Sequence, residues 1–272
     1  MTLPDAATLL AAADAGRSLP PAPRGGATAA EVDAAHRVQD EIAALRRARG
    51  ETPVGWKIGF TNRTIWPIYD VHRPIWGPVW NTTLTLLDGT ATTIEARRFA
   101  EPRLEPEIVF GLKASPPPDA DASTPARTAA LVDCIDWVAH GVEVVASVWP
   151  GWQFGAAQSI ASQALHGALR VGPRVPLAAL GADPAGALSA LRLVLLRDGE
   201  RIAEGVGANV LDGPVQALGH LVAGLAARGA RVAAGSVVTT GTLTDAQPLV
   251  PGQSWRTELA GVPLEGLAVR VG

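Results

Sequence analysis

The stretch EPRLEPEIVF, residues 101 to 110, constrains the fold more than any other part of the chain. In a strand successive side chains alternate faces, so positions 101, 103, 105 and 107 look one way while Leu104, Ile108 and Phe110 look the other. One face is apolar enough for a core, and the opposite face collects charge. Two neighbouring carboxylates, Glu105 and Glu107, repel each other unless a cation, an arginine or a proton compensates them, and hard divalent ions prefer such oxygen ligands. From this stretch alone two readings stand: a solvated strand edge neutralised by Arg97, Arg98 and Arg103, or part of a metal site.

The flanking segments predict mixed α and β structure. Residues 3 to 16 and 28 to 49 are alanine-rich with helical spacing, separated by the turn-like PPAPRGG at 20 to 26. Thr28 followed by Glu31 is a capping-box pattern, and the arginines at 46, 47 and 49 suit a helix C-terminus. A short strand over 55 to 60 carries Lys57 opposite Trp56 and Ile58. The tryptophans at 66, 76 and 80 then form either plain packing or the wall of a small-molecule pocket. Residues 82 to 87 and 90 to 94 read as a hairpin around Asp88-Gly89, and 191 to 196 with 201 to 206 as a second around Asp198-Gly199. A helix is expected from 128 to about 139, then a strand in which Glu143 stands among valines. Further on, 152 to 172 reads as helix into strand, 214 to 228 as a helix, and the remainder as short strands.

Without regular βα alternation, and without GxGxxG, Walker or GxSxG motifs, the pattern argues for an α+β fold and against a doubly wound sheet. No linker is evident, so 1–272 is expected to be one domain, with 1–52 a helical N-terminal segment and 53–272 a mixed β catalytic core. A net charge of -3 gives no basic footprint for nucleic acid, and 47% hydrophobic with 18% charged residues describes a folded globule. No apolar run approaches the roughly 20 residues of a membrane span. The N-terminus, with Asp5 and Asp14 and no basic start, does not read as a secretory signal. The single cysteine, Cys134, excludes an intramolecular disulfide, and a cytoplasmic location is expected.

GWKIGFTN (55–62), PIWGPV (74–79), EPRLEPEIVF (101–110), HGVEVVASVWPGWQF (140–154), ALHGAL (164–169), NVLDGP (209–214) and TTGTLT (239–244) occur in one order along nearly the whole chain. Together they resemble the fumarylacetoacetate hydrolase superfamily, in its branch of 2-keto-4-pentenoate hydratases and 4-oxalocrotonate decarboxylases. The resemblance implies a mixed β-roll or sandwich core with an N-terminal helical elaboration, and a homo-oligomer. It also implies Mg²⁺ or Mn²⁺ on Glu105, Glu107 and Glu143, with Lys57 as the catalytic residue and a small 2-oxo acid as substrate. Thr61, Gln158, Thr240 and Thr242 are the residues it places on the substrate.

The implied reaction is addition of water to a 2-hydroxydienoate or 2-oxo-enoate in aromatic-compound catabolism. Decarboxylation of a 2-oxo diacid and carbon-carbon hydrolysis of an acylpyruvate are alternatives on the same site. The branch commonly carries two aspartates where this chain has Gln158 and Ser162, and an acid where it has Ile75 and Trp76. Glutamine cannot take up a proton at neutral pH, so a binding scaffold without turnover is a third alternative.

Overall fold

The computed structural model describes residues 3–22 and 25–272; the turn expected at 20 to 26 therefore lies partly outside the described residues. Two helices open the chain, α1 (Ala6–Asp14) and α2 (Ala29–Ala48), the latter closed at its start by the reciprocal Thr28–Glu31 capping box. Five further helices follow: α3 (Trp66–Tyr69), α4 (Pro125–Cys134), α5 (Ala156–Ala161), α6 (Pro184–Ala190) and α7 (Pro214–Ala226). The strands are β1 (Pro53–Gly59), β2 (Ile75–Trp80), β3 (Leu84–Leu86), β4 (Ala91–Ile94), β5 (Arg103–Leu112), β6 (Ile135–Val145), β7 (His166–Val171), β8 (Val175–Pro176), β9 (Arg192–Arg197), β10 (Glu200–Val206), β11 (Val237–Thr242), β12 (Gln247–Pro248), β13 (Ser254–Ala260) and β14 (Ala268–Val271).

They form two mixed sheets. The nine-stranded sheet runs β2-β1-β11-β5-β6-β7-β3, with β12 added to β5 and β8 to β6, and the five-stranded sheet runs β10-β9-β13-β14-β4. The architecture is α+β. Leu104, Ile108 and Phe110 of β5 join Leu193, Leu195 and Trp255 of the smaller sheet and Leu218, Leu221 and Leu225 of α7 in one buried cluster. A one-residue slip of β5 would turn these three side chains out of the core, at a cost on the order of 6 kcal/mol from about 2 kcal/mol each. Burial on one face thus fixes which face receives Glu105 and Glu107. A second cluster packs α1, α2 and α5 against Phe60, Ile75, Val145 and Phe154. Among the described residues no helix is long and apolar enough to cross a membrane.

Three sequence expectations are corrected. Residues 82 to 94 are not a hairpin: β3 pairs in parallel with β7, and β4 in parallel with β14 of the other sheet. The Asp88-Gly89 turn signal marks the crossing between sheets. The helix expected to reach about 139 ends at Cys134, because the apolar, β-branched run from Ile135 continues as β6 opposite β5. Strand β5 starts at Arg103, and Glu101 instead adopts a left-handed backbone (φ 42°) and accepts a hydrogen bond from the Gly151 amide. The hairpin at 198 to 199 forms between β9 and β10, with positive φ at both turn residues.

Candidate metal centre

Two adjacent strands, β5 and β6, bring the carboxylates together. In the antiparallel β5–β6 pair Glu105 lies directly opposite Glu143, and Glu107 opposite Gly141. Like charges directly opposite destabilise a sheet, so this register needs compensation. Glu107 and Glu143 are fully buried and Glu105 is partly so, and one oxygen from each lies within 4.8 Å of the others. The parallel pair β1–β11 sets Lys57 beside Thr239, and Thr239 faces Val109 of β5. Lys57 Nζ then reaches 3.4 Å from Glu143 Oε2 and donates to the Ala164 carbonyl at 3.0 Å. Close contact of β1 and β11 rests on Gly55, where a Cβ would fall 1.8 Å from the Val237 carbonyl oxygen.

Each buried carboxylate has one oxygen held by hydrogen bonds and one that accepts none. Glu107 Oε2 accepts from the Thr239 hydroxyl and from the Gly241 amide at 2.8 Å. Glu143 Oε1 accepts from His166 Nδ1 at 2.7 Å, while His166 Nε2 meets the Thr83 hydroxyl at 2.8 Å. Glu107 Oε1 and Glu143 Oε2 are buried without a hydrogen-bond partner. Orphaned anionic oxygens beside a third carboxylate fit a hard divalent cation, whose preference is for oxygen ligands. Lys57 supplies one positive charge against three negative ones, which leaves the cluster under-compensated.

The electrostatics follow from that imbalance. Burial pushes the pKa of Glu105 and of Glu143 up to about 7; Lys57 opposes the shift at both, while Glu107 adds to it at Glu105 and Glu105 adds to it at Glu143. Burial, then Glu143, raises Glu107 well above the ordinary range. For Lys57 burial works downward, but Glu143, Glu105 and Glu107 outweigh it and hold the ammonium charged. His166 is driven well below its usual pKa by burial and by Lys57, so it is neutral and donates from Nδ1.

A cavity of about 310 Å³ opens onto Lys57 and Glu105. Phe60, Tyr69, Trp152 and Phe154 form its aromatic wall, with Tyr69 stacked on Phe154 at 4.9 Å. Arg103 lines the cavity with its guanidinium 4.1 Å from the Trp152 ring centroid. Trp66, Trp76 and Trp80 do not line it; Trp80 Nε1 is tied to Gln163 Oε1 at 2.9 Å and Trp66 Nε1 to the Phe60 carbonyl at 2.8 Å, which makes these rings packing.

Of the substrate-side residues expected from the sequence, Thr61 and Thr242 line the cavity, and Thr240 and Gln158 do not. The reason for Thr240 is a bulge: β11 pairs Thr239 with Val109 and Thr242 with Glu107, three residues against two, with Gly241 at φ 106°. The extra residue turns Thr239 toward Glu107 and leaves Thr240 to donate to the Ile108 carbonyl at 2.9 Å. Gln158 accepts from the Gly155 amide at 3.1 Å, closing the N-terminus of α5, and Ser162 accepts from Trp149 Nε1 at 3.1 Å. Residues missed from the sequence are Thr239, His166 and Arg103. A further one is the run Gln163, Ala164 and Leu165, three non-glycine residues with φ of 55°, 52° and 63°. Such conformations cost about 1 kcal/mol or more each, and here they aim the Ala164 carbonyl at Lys57.

Residues 67–267 match the profile described as Fumarylacetoacetate (FAA) hydrolase C-terminal. A 2-hydroxyhexa-2,4-dienoate hydratase of Comamonas testosteroni is 28% identical over 233 residues, covering 85% of this chain and 83% of the relative. A 4-oxalocrotonate decarboxylase of a Pseudomonas species is 30% identical over 234 residues, covering 86% and 85%. The solved 4-oxalocrotonate decarboxylase of Pseudomonas putida G7, complexed with magnesium and adipate, shares the fold with a TM-score of 0.82 at 24% identity, over 98% of this chain and 95% of that one.

Proposed function

The chain belongs to the fumarylacetoacetate hydrolase family, and from that premise we propose that it is a metal-dependent hydratase adding water to a 2-hydroxydienoate or 2-oxo-enoate acid. The observation that carries this reading is the Glu105–Glu107–Glu143 group, with two buried oxygens that accept no hydrogen bond and Lys57 beside them. Glu105, Glu107 and Glu143 are the residues that would hold Mg²⁺ or Mn²⁺. When bound, such a cation supplies a Lewis acid that draws electron density from the oxygens of a 2-oxo acid.

The chain's own groups do the rest. Thr239, Gly241 and His166 hold Glu107 and Glu143 in one orientation, so their free oxygens point to a common spot. Lys57 moves the proton: burial favours its neutral form while Glu143, Glu105 and Glu107 favour its charged form, so its protonation is governed by the charge of the carboxylates beside it. Its Nζ then exchanges a proton with the carbon skeleton lying between it and the aromatic wall. Phe60, Tyr69, Trp152 and Phe154 exclude bulk water and pack on that skeleton. Thr61 and Arg103 supply polar contacts for the carboxylate end. Gln158 accepts from the Gly155 amide at the start of α5 and does not line the cavity, so this reading gives it no part in proton transfer.

The test is turnover of a 2-hydroxydienoate, followed by loss of its ultraviolet absorbance with Mg²⁺ or Mn²⁺ present. Turnover should vanish in Glu105→Ala and Glu107→Ala; full turnover in either sinks the reading. Decarboxylation of a 2-oxo diacid stands as the second reading, favoured by Arg103, a cation that lines the cavity near Glu105 and forms no close salt bridge among the described residues. Release of CO₂ from a 2-oxo diacid, without hydration of monoacid dienoates, would select it.

A further inference from the structure

A second cavity, of about 520 Å³, lies between the N-terminal helices and β7. Its lining carries Arg46, Arg49, Arg98 and Arg170 against Asp14 and Glu51, four positive charges to two negative. The two carboxylates are already taken: Arg46 holds Glu51 at 2.7 Å, and Arg49 holds both Asp14 and Glu51. The surplus belongs to Arg98 and Arg170. Arg170 is half-buried, and its guanidinium reaches only the Thr83 and Leu169 carbonyls, both at 3.4 Å. Arg98 makes no side-chain hydrogen bond or ion pair among the described residues. Burial, and then the nearby Arg98, pushes the Arg170 pKa below its ordinary value, as expected of two adjacent cations lacking an anion.

Two guanidinium groups lining one cavity are suited to an oxyanion, which each can bind through parallel N–H groups. His166 also lines this cavity, with its Nδ1 on Glu143, so the space backs onto the carboxylate centre without opening into it. We propose that this cavity is a second ligand site, in which Arg98 and Arg170 hold the carboxylate or phosphate of a small molecule.

The test is calorimetric titration of the full-length Glu105→Gln protein, in which the carboxylate centre is disabled, with succinate and separately with inorganic phosphate. One saturable site per chain is expected, and the anion that saturates it tells a carboxylate ligand from a phosphate one. Arg98→Gln or Arg170→Gln added to that background should weaken binding by about tenfold or more, as loss of a charged hydrogen bond does. The exposed Arg98 serves if the Arg170 variant fails to fold. Neither anion binding, or binding unchanged in the Arg98 variant, overturns the proposal. So does separation of an oligomer by Arg98→Gln in light scattering, which would make the arginines a contact between copies. Because binding is read without turnover, these outcomes are independent of the proposed hydratase activity.

Discussion

Replacing Glu107 by Gln should make the metal-free protein more stable while removing its response to metal. In the metal-free fold Glu105 and Glu143 titrate at about 7, raised chiefly by burial from 4.5. A carboxyl whose pKa rises on folding keeps its proton longer in the native than in the unfolded chain. Native stability therefore falls as pH rises from about 4.5 to about 7, and the deficit is complete above that. A shift of that size corresponds to about 3 kcal/mol, shared by the coupled pair and not counted twice. In Glu107→Gln the amide oxygen can keep the Thr239 and Gly241 bonds, and the NH₂ replaces the unpartnered Oε1 near Glu143 Oε2. Replacing a carboxyl that burial already disfavours as an anion, and giving a hydrogen-bond donor to a buried oxygen that lacks one, should contribute about 2 kcal/mol. For a chain of 272 residues that is about 3 to 4 °C in Tm. The assay is thermal unfolding at pH 8 in EDTA and then in Mg²⁺. At a hundredfold excess over its Kd, Mg²⁺ should stabilise the wild type by about 2.7 kcal/mol and the variant hardly at all. A variant Tm at or below wild type in EDTA, or an undiminished Mg²⁺ shift, would refute the reasoning.

Three further outcomes follow from other contacts. Lys57→Met should lower kcat by about 10² to 10⁴ while leaving Mn²⁺ binding in place, because Lys57 is the proton carrier and not a ligand; parallel kinetics and metal titration check this. Gly55→Ala should destabilise the protein by about 3 kcal/mol or more in urea unfolding and abolish activity, since its Cβ collides with the Val237 carbonyl and parts β1 from β11 two residues before Lys57. His140 is held neutral by burial with a pKa of about 4, its Nδ1 donating to the Glu107 carbonyl and its Nε2 accepting from Thr257. The unfolded chain takes up this proton from about pH 6.5 downward, so stability is lost as pH falls from about 6.5 to about 4. The total is about 3 kcal/mol, and His140→Gln should flatten that part of the stability–pH curve relative to wild type.

The carboxylate centre was legible because its logic is period-two: Leu104, Ile108 and Phe110 commit one face of β5, and Glu105 and Glu107 inherit the other. Glu143, among buried valines, and Lys57, on a glycine-flanked strand, stood out for the same reason. Where periodicity breaks, legibility ends. The Gly241 bulge exchanges Thr240 for Thr239 in the site; the lone glycine in TTGT is a bulge signal, but it does not say which threonine turns toward Glu107. The strands at 84 to 94 join different sheets through long-range parallel pairing that a local turn signal does not encode. His166 lies in the ALHGAL segment, yet what it does there depends on Glu143, 23 positions away, just as Arg98 is set by Arg170, 72 positions away. Gln158 stands at a position that the resemblance marks, and its side-chain oxygen closes a helix start away from the cavity lining.

The central claim, that Glu105, Glu107 and Glu143 together hold a divalent cation, is tested most directly by titrating the full-length protein with Mn²⁺ and following free Mn²⁺ by electron paramagnetic resonance. One Mn²⁺ per chain should bind, be displaced by Mg²⁺, and be lost in Glu105→Gln, Glu107→Gln and Glu143→Gln alike. Stoichiometric binding that survives all three substitutions would contradict it.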